Sequence, residues 1–418
     1  GFPISKTWFS IISSIMAIGA LIASFFIGYI VDNWGRKQAM WLLCIPSLIG
    51  WGCIIWAESE LMLCIGRFIC GIAAGGWCIA APLYTNEFST VDLRGTLGTY
   101  FQLQTSSGIL YIYIVGTFVS VFWLSVSCAG IVLCFAVLLI FLPESPTYFI
   151  KKGEVEKAKA SMQWFRGRNY NIDSEIQVLK TSNDEIISNA VPMLTAFSTP
   201  AAKKGLLLGV GMMFYQQFCG VNGIIFYTAT IFKESGSTLD PHYQTIIVGV
   251  VMTISTLISS WLIELFGRRI LLLISITFMM VPLIGLSFYF YCDTHSINTS
   301  AFGWLPIASM SLFLISFSVG FGPIPFLYLS EVYSKQIAGY ACSIALLFNW
   351  FFLFLVTSLF PFVSAYVGFA VSFGIFAIIS FTGIFFVILL VAETKGRTLE
   401  EMQLILGGQP SSPSGRTA

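Results

Sequence analysis

The chain has 418 residues, of which 56% are hydrophobic and only 10% are charged, and its formal net charge at pH 7 is +1. Water-soluble domains carry about a quarter charged residues, so this composition excludes a soluble globule. The near-zero net charge gives no support for a nucleic-acid partner.

The predicted elements are apolar helices that cross a bilayer. No Asp, Glu, Lys or Arg occurs in 95–143 or in 336–392, and each run is long enough for two crossings of about 20 residues. Because a backbone inside a bilayer must satisfy its own hydrogen bonds, we expect an all-α membrane protein. The eleven predicted crossings are 8–31, 39–57, 61–84, 97–121, 122–142, 204–233, 242–266, 270–291, 303–330, 340–361 and 366–391. The last two are expected to be separated by "FPFVSAY" at 360–366.

Five crossings precede a polar interval and six follow it. Within the interval, 154–167 and 173–186 have helix-like patterns with charged faces, which predicts a small helical unit; a flexible linker is the alternative. The odd number of crossings and the start without Met suggest that a first helix is missing. We therefore expect an N-terminal bundle lacking its first helix at 1–145, a helical linker at 146–202, a C-terminal six-helix bundle at 203–392 and a tail at 393–418.

Lysine and arginine are distributed unevenly between the predicted loops. If the loop that holds Arg36 and Lys37 is cytosolic, almost all other Lys and Arg fall on the same side, as the positive-inside rule requires. This topology places the linker and the C-terminus in the cytosol. It places the one N-x-S/T sequon, at Asn298, outside, where glycosylation occurs. We expect a multi-pass protein of the plasma membrane.

Three charged landmarks occur twice, in the same order. "DNWGRK" at 32–37 matches "ELFGRR" at 264–269, "PLYTNEF" at 82–88 matches "PFLYLSEVY" at 325–333, and "LPES" at 142–145 matches "VAET" at 391–394. Such a repeat indicates two halves of one architecture. Opposite charges at matched helix ends predict salt-bridge clusters that hold the halves closed on the cytosolic side; simple positive-inside anchoring is the alternative. The predicted cluster residues are Asp32, Arg36, Lys37, Glu87, Arg94, Glu144, Glu264, Arg268, Arg269, Glu331 and Glu393.

Metal, cofactor and nucleotide sites have no support in the sequence. The ten cysteines are scattered singly, without zinc spacing. His242 and His295 lie near the ends of different crossings, and no G-x-x-x-x-G-K-[ST] motif occurs. We therefore expect no metal, no cofactor, no nucleotide and no enzymatic activity.

Carboxamide side chains are rare inside the predicted crossings. Carboxamides both donate and accept hydrogen bonds, as sugar hydroxyls do, so those in the crossings suit a small neutral sugar. Hydrogen bonding between helices is the alternative, and we assign Gln104 to it. The glycines at 220 and 223 and "GFGPIP" at 320–325 are expected to interrupt their helices near mid-membrane, where transporter sites tend to lie. The candidate residues are Gln102, Gln216, Gln217, Asn222 and Asn349, with Trp350 next in the chain.

Nine motifs in a fixed order extend over nearly the whole chain. They are "GYIVDNWGRK" (28–37), "GRFICGIAAGG" (66–76), "PLYTNE" (82–87), "LRG" (93–95), "PESP" (143–146), "QQFCGVN" (216–222), "GPIPF" (322–326), "FNW" (348–350) and "ETKGRTLEE" (393–401). On these motifs the chain resembles the sugar porter family of the major facilitator superfamily, which includes glucose and trehalose facilitators. The resemblance implies two six-helix bundles and facilitative transport of a hexose or trehalose by alternating access. It implies sugar contacts at Gln102, Gln216, Gln217, Asn222 and Trp350, with Asn349 beside them.

The chain departs from the family pattern at three positions. Phe326 stands where the family usually has Trp, Met252 where it has Asn, and Ala338 where it has Arg. We expect a less polar pocket and a weaker second salt-bridge cluster. Arg67 is the one charge that lies within a predicted crossing away from its ends, and it needs a partner or a wet cavity; in related proton–sugar symporters the coupling acid lies near this arginine. A proton-coupled symporter and a non-transporting sugar sensor are the alternatives.

Overall fold

The computed structural model describes residues 5–188, 193–235, 240–297, 299, 302–333, 337–397 and 399–407. All regular secondary structure in these ranges is helical. The helices are Lys6–Trp34 (α1), Arg36–Ile55 (α2), Glu60–Phe88 (α3), Val91–Phe118 (α4), Val121–Ile140 (α5), Pro146–Lys151 (α6), Val155–Arg166 (α7), Asp173–Ser188 (α8), Met193–Ser198 (α9), Pro200–Phe218 (α10), Val221–Glu234 (α11), Pro241–Phe266 (α12), Arg268–Thr294 (α13), Leu305–Val319 (α14), Ile324–Val332 (α15), Ala338–Leu390 (α16) and Leu399–Gly407 (α17).

Eight helices in the described ranges are long and apolar enough to cross a membrane. One of them, α16, has 53 residues and is interrupted at Gly368, where φ is 84° and ψ is 162°. The break expected at 360–366 is therefore wrong in position: those residues are helical, and Pro361 lies inside the helix. The chain turns at Gly368 because glycine reaches positive φ without a steric penalty from a Cβ atom.

Two predicted crossings are each divided into two shorter helices. Between α10 and α11 the chain turns at Gly220, which adopts the left-handed conformation with φ of 91°. Between α14 and α15 the helix stops at Gly320, and Pro323 precedes the next one. Both interruptions lie where the glycine and proline pattern predicts them. Gly223, the second glycine of the first motif, is helical within α11.

The helices form two groups whose most extensive contacts with each other involve two pairs of helices. In the first group α3 packs against α1 and α2, and α2 packs against α5. In the second group α13 packs against α14 and α16, and α10 packs against α16. The groups meet where α1 lies against α16 and where α4 lies against α12. A large hydrophobic cluster belongs to the second group, and a smaller one to the first.

The polar interval folds into helices that attach to the first group. The two predicted helices are confirmed as α7 and α8. The ring of Phe165 stacks on that of Phe88 at the end of α3, with centroids 4.6 Å apart. Arg166 donates a hydrogen bond to the Phe88 carbonyl (2.7 Å) and forms an ion pair with Glu175 (2.9 Å). The stack and the hydrogen bond to Phe88 fix α7 to the end of α3, and the ion pair joins α8 to α7.

Candidate functional site

Four carboxamides from three helices form one directed chain of hydrogen bonds at the α10–α11 break. Asn222 of α11 donates to the side-chain oxygen of Gln217. Gln217 Nε2 donates to Asn349 Oδ1 on α16 (3.0 Å), and Asn349 Nδ2 donates to Gln216 Oε1 (2.8 Å). Gln216 Nε2 then donates to the carbonyls of Phe321 and Gly322 (2.8 and 3.1 Å). We call Gln216, Gln217, Asn222 and Asn349 the amide cluster.

The amide cluster is buried and uncharged. Gln216, Gln217 and Asn349 are 3–5% exposed. Each carboxamide has two donor hydrogens and two acceptor lone pairs, so the hydrogen bonds within the cluster leave capacity unused. α10 ends at Phe218, the chain turns at Gly220, and α11 begins at Val221. This turn brings the side chain of Asn222 within hydrogen-bond distance of Gln217. A neutral ligand with many hydroxyls can exchange hydrogen bonds with such a group without burying a charge.

The other predicted sugar contacts lie outside this chain of hydrogen bonds. Gln102 on α4 is 9% exposed, and its amide has no hydrogen bond within the described part of the chain. The indole nitrogen of Trp350 is buried without a partner among the described residues. Phe326 on α15 packs edge-to-face with Phe101 of α4, at 6.2 Å between centroids. Met252 is buried in the hydrophobic cluster of the second group.

The first predicted salt-bridge cluster joins the ends of α1, α2, α3 and α5. Arg36 is 1% exposed, and its guanidinium contacts Glu87 at 2.8 Å and Asp32 at 3.3 Å. It also donates to the carbonyl of Val31 (3.1 Å). The Ser145 hydroxyl donates to the second carboxylate oxygen of Glu87. A charge this deeply buried is stable only with such a full set of partners.

The second cluster repeats the first in matching positions. Arg268 contacts Glu331 at 2.9 Å and Glu264 at 3.5 Å, and the Thr394 hydroxyl donates to Glu331 as Ser145 does to Glu87. All these ion pairs of the described residues lie within one helical group; none joins the two groups. Each cluster therefore fastens the helix ends of its own group.

Glu144 and Glu393 cap the helices that follow the two charged turns. The first N–H groups of a helix have no partner inside it. Glu144 accepts hydrogen bonds from the backbone of Arg36 (3.0 Å) and Lys37 (2.9 Å). Glu393 does the same for Arg268 (2.9 Å) and Arg269 (3.0 Å).

The capping hydrogen bonds lower the pKa of Glu393. Burial by itself would raise the pKa of the Glu393 carboxyl, but backbone N–H donors from Lys395, Arg268, Arg269 and Thr394 lower it overall. Hydrogen bonds to the charged form of a carboxyl favour that form. The carboxylate is therefore held in its ionised state at the start of α13.

Two cations of the predicted clusters form no side-chain ion pair in the described part of the chain. The Lys37 ammonium donates to the carbonyl of Ile140 (3.0 Å), and Arg269 donates to that of Ile388 (2.6 Å). These cations thus close the C-terminal ends of α5 and α16, where free carbonyls favour positive charge. The side chain of Arg94 lies outside the described residues, as does Asn298.

Arg67 lies on α3 and contacts the backbone of α1. Its Nε donates to the carbonyl of Ile12 at 3.4 Å, and no acidic side chain pairs with it in the described ranges. The described residues also hold no group of three or more His, Cys, Asp or Glu that could bind a metal.

Sequence reasoning missed the partners that hold the amide cluster in place. The backbone carbonyls of Phe321 and Gly322 accept from Gln216, and Ser275 of α13 accepts from the Phe321 N–H (3.1 Å). The "GFGPIP" motif signals that these backbone groups are free of helical bonds, because a proline removes a donor and breaks the ladder. It does not say which side chains satisfy them.

Comparison with known proteins shows the family to which the chain belongs. The model of the family described as "Sugar (and other) transporter" matches residues 3–406. The facilitated trehalose transporter Tret1 of Bombyx mori is 36% identical over 403 residues, which are 96% of this chain and 79% of that protein. A Tret1-2 homologue of Drosophila simulans is 35% identical over 410 residues, 98% of this chain and 84% of that protein.

A solved structure shows the same fold. The proton:xylose symporter XylE, bound to 6-bromo-6-deoxy-D-glucose, superposes with a TM-score of 0.80 and 24% identity, covering 96% of this chain and 90% of that one. The fold is therefore that of the major facilitator superfamily. With a family model that spans nearly all of its length and relatives of this similarity, the chain belongs to the sugar transporter family.

Proposed function

We propose that this protein is a facilitative sugar carrier for a hexose or trehalose, working by alternating access. The observation that carries the proposal is the amide cluster, a buried and uncharged set of hydrogen-bonding groups at the break of α10 and α11. The relatives from Bombyx mori and Drosophila simulans are named as facilitated trehalose transporters or homologues of them, which favours a neutral sugar over a charged solute.

Sugar would bind by replacing hydrogen bonds within the amide cluster. Its hydroxyls would accept from and donate to Gln217, Asn222 and Asn349, while Trp350 and Phe326 offer aromatic faces to the C–H side of the ring. Gln102 brings a free amide from the first helical group, so that both groups would contact the ligand. A ligand held by both groups can shift the balance between two conformations only if it binds one of them more tightly.

The test is uptake of radiolabelled trehalose and glucose into proteoliposomes that contain the purified protein. A carrier gives saturable uptake that an excess of unlabelled substrate inhibits, and the sugar with the higher ratio of maximal uptake to half-saturating concentration is the better substrate. Sugar binding without flux would favour a non-transporting sensor instead. If the protein neither binds nor transports either sugar, the proposal is contradicted.

Proton coupling is the second candidate, and it rests on Arg67. This partly buried cation has only a backbone carbonyl as a partner in the described ranges, and the structural neighbour XylE is named as a proton:xylose symporter. Uptake that continues unchanged when an ionophore collapses the proton gradient supports the facilitative carrier. Accumulation of sugar against its gradient, abolished by the ionophore, would support the symporter.

We also propose eleven membrane crossings in the described chain. The eight long apolar spans are α1, α2, α3, α5, α12, α13, the α14–α15 pair and α16. Counting α16 as two crossings because of its break at Gly368, and adding α4 and the α10–α11 pair, gives eleven. In this proposed topology the two salt-bridge clusters, the linker and the C-terminus would lie in the cytosol of a plasma-membrane protein. Impermeant lysine labelling from each side of sealed cells tests this: Lys157 and Lys395 should react only after permeabilisation.

A further inference from the structure

A groove opens on the surface of the first helical group, where α1, α2 and α5 meet. Its volume is about 370 Å³. One cation, one carboxamide, two indole rings and two aliphatic side chains line it: Lys37, Gln38, Trp34, Trp41, Leu42 and Ile140. None of these residues belongs to the amide cluster, so sugar binding does not explain the groove.

The groove lies at the boundary of three membrane-spanning helices. The apolar span of α1 ends at Trp34, that of α2 begins at Arg36, and that of α5 ends at Ile140. Trp41 lies further along α2, about 7 Å deeper at 1.5 Å per residue. The groove is therefore polar at its rim and apolar further in, which is the gradient between the headgroup region and the acyl chains of a bilayer.

The two indole rings of the groove are open to the surroundings of the protein. Trp34 is 54% exposed and Trp41 is 46% exposed. Tryptophan is enriched at membrane–water interfaces because its ring is apolar and its N–H can donate a hydrogen bond. Two such rings on one concave surface, together with a cation, form a site that a lipid molecule can fill.

The charge of Lys37 is available to a ligand. Its ammonium donates to the Ile140 carbonyl (3.0 Å), which uses one of three donor hydrogens. The nearby carboxylate of Asp32 contacts Arg36 and Lys151 instead, at 3.3 Å each. No carboxylate of the described residues forms an ion pair with Lys37, so its positive charge suits an anion.

The second helical group repeats the cation without the tryptophans. Arg269 corresponds to Lys37 in the duplicated turn and donates to the Ile388 carbonyl (2.6 Å), just as Lys37 donates to that of Ile140. The positions of Trp34, Gln38 and Trp41 are taken there by Phe266, Ile270 and Leu273. Closing a helix end therefore needs only the cation, and the indole rings and the amide of the first group serve a different purpose.

We propose that this groove binds one acidic glycerophospholipid of the cytosolic leaflet. The phosphate lies against Lys37 and Gln38. The acyl chains follow Trp41, Leu42 and Ile140 into the bilayer. The unpaired ammonium favours a headgroup with net negative charge, because a choline or ethanolamine headgroup carries a cation of its own. This site goes beyond the proposed function and does not depend on which solute is carried.

The test measures lipid binding to the purified protein in detergent by native mass spectrometry. Dioleoylphosphatidylglycerol and dioleoylphosphatidylcholine are added separately, so that only the headgroup differs. The wild type is expected to bind one phosphatidylglycerol molecule more tightly than phosphatidylcholine. Lys37→Gln is expected to raise the dissociation constant for phosphatidylglycerol about five-fold, because one cation near a membrane surface contributes about 1 kcal/mol to binding an acidic lipid.

A second variant removes the groove and keeps the charge. The combined substitutions Trp34→Phe, Gln38→Ile and Trp41→Leu give the first group the side chains that the second group has at these positions. This variant is also expected to bind phosphatidylglycerol more weakly. Arg269→Gln is the matched control, because it removes the corresponding cation of the other group, and its affinity is expected to equal that of the wild type.

Each contrary result overturns the inference in a different way. Wild-type affinity in both Lys37→Gln and the triple variant would show that the lipid does not bind in this groove. An equal loss in Arg269→Gln would show general attraction to positive charge. Equal affinity of the wild type for both lipids would overturn the preference for an acidic headgroup. Because no sugar is present, these results are independent of whether the protein carries one.

Discussion

At the scale of single residues, Gln217 and Asn222 are the members of the amide cluster with bonds only to other amides. Gln217 links Asn222 to Asn349, and Asn222 is the first donor of the chain. Neither bonds to a backbone group through its side chain in the described ranges. Their hydrogen bonds can therefore be exchanged for those of a sugar without opening a helix.

Replacing either residue with alanine is expected to reduce sugar uptake at least about ten-fold, because a buried hydroxyl without a partner costs about 1–3 kcal/mol. Uptake by Gln217→Ala and Asn222→Ala is measured at equal amounts of protein in the membrane. Gln104→Ala is the control, since this amide is exposed on α4 and lies outside the cluster. Wild-type uptake in both cluster variants would show that sugar binds elsewhere.

The sequence indicates which carboxamides lie close together, but not which of them hydrogen-bond to one another. Few carboxamides occur in such apolar segments, and three of them lie within 216–222, so their grouping follows from local spacing. The bond from Gln217 to Asn349 joins residues 132 positions apart, and the bond from Gln216 to Phe321 joins residues 105 positions apart. Those contacts depend on how α10, α14 and α16 pack, which helical periodicity does not determine.

At the scale of elements, the two charged turns are built on glycines with positive φ. Gly35 has φ of 104° and Gly267 has φ of 82°, and each ends one helix and precedes the next. A Cβ atom on Gly267 would lie 2.8 Å from Glu393 Oε2, and one on Gly35 would clash with the Glu144 carboxylate. The same carboxylates cap α2 and α13, so close approach of the backbone is part of the capping geometry.

Gly35→Ala and Gly267→Ala are each expected to lower stability by about 1–2 kcal/mol from the left-handed conformation alone, with a further loss from the displaced carboxylate. Thermal unfolding of the purified protein measures the effect as a lower midpoint. Gly130→Ala is the matched control, because a Cβ there meets no atom within 4 Å. Equal midpoints for all three variants would contradict the role of the two turns.

The contact between α7 and α8 depends on pH through Glu175. The hydrogen bond from Arg166 lowers the pKa of the Glu175 carboxyl, with burial acting against it and Tyr170 adding to it. Since the folded pKa lies below the unfolded value of about 4.3, this carboxylate stabilises the fold at neutral pH. The contribution is lost as the pH falls below about 4 towards the lowered pKa.

Glu175→Gln is therefore expected to lower the unfolding midpoint at pH 7 and to have progressively less effect below about pH 4, where the wild type also loses the ion pair. The midpoints of both proteins are compared across this range. Glu156→Gln serves as the control, because the side chain of Glu156 is 88% exposed and 3.9 Å from Lys159. A difference between wild type and Glu175→Gln that is independent of pH would refute this account.

The sequence predicted the long elements and two of their three interruptions. Apolar length and the charge gaps located the long helices, and charged faces located α7 and α8. The break between the last two crossings was expected at 360–366 but occurs at Gly368 of α16, and Pro361 within the expected segment is helical. Proline is tolerated inside a membrane helix because neighbouring groups satisfy the freed carbonyl, whereas a positive φ requires glycine. In α16 the interruption is therefore marked by the glycine and not by the proline.

At the scale of the whole molecule, the ion clusters and the contacts between the helical groups are formed by different residues. Each cluster is confined to its own group. The groups are joined by uncharged contacts, among them Thr99 to Ser260 (2.9 Å) and Ser10 to the Ser358 carbonyl (3.1 Å). Uncharged contacts of this kind can be broken and remade during a transport cycle without the cost of desolvating charges.

Tyr113, near the C-terminal end of α4, joins the two helical groups through its hydroxyl. Its hydroxyl donates to the Ile225 carbonyl of α11 (2.9 Å) and lies 3.4 Å from Thr228 Oγ1. Tyr113→Phe removes this hydroxyl and keeps the ring. Because one hydrogen bond contributes about 0.5–1.5 kcal/mol, we expect a shift of a few-fold towards conformations in which α4 and α11 are apart.

Distances between spin labels on α4 and α11, measured by pulsed electron resonance, report this shift as a larger population of long distances. Tyr111→Phe is the matched control, because Tyr111 lies two residues earlier on the same helix and its hydroxyl has no hydrogen bond in the described chain. The two variants lose the same atom from the same helix. A distance distribution that is identical in Tyr113→Phe and Tyr111→Phe would mean that this contact does not hold the two groups together.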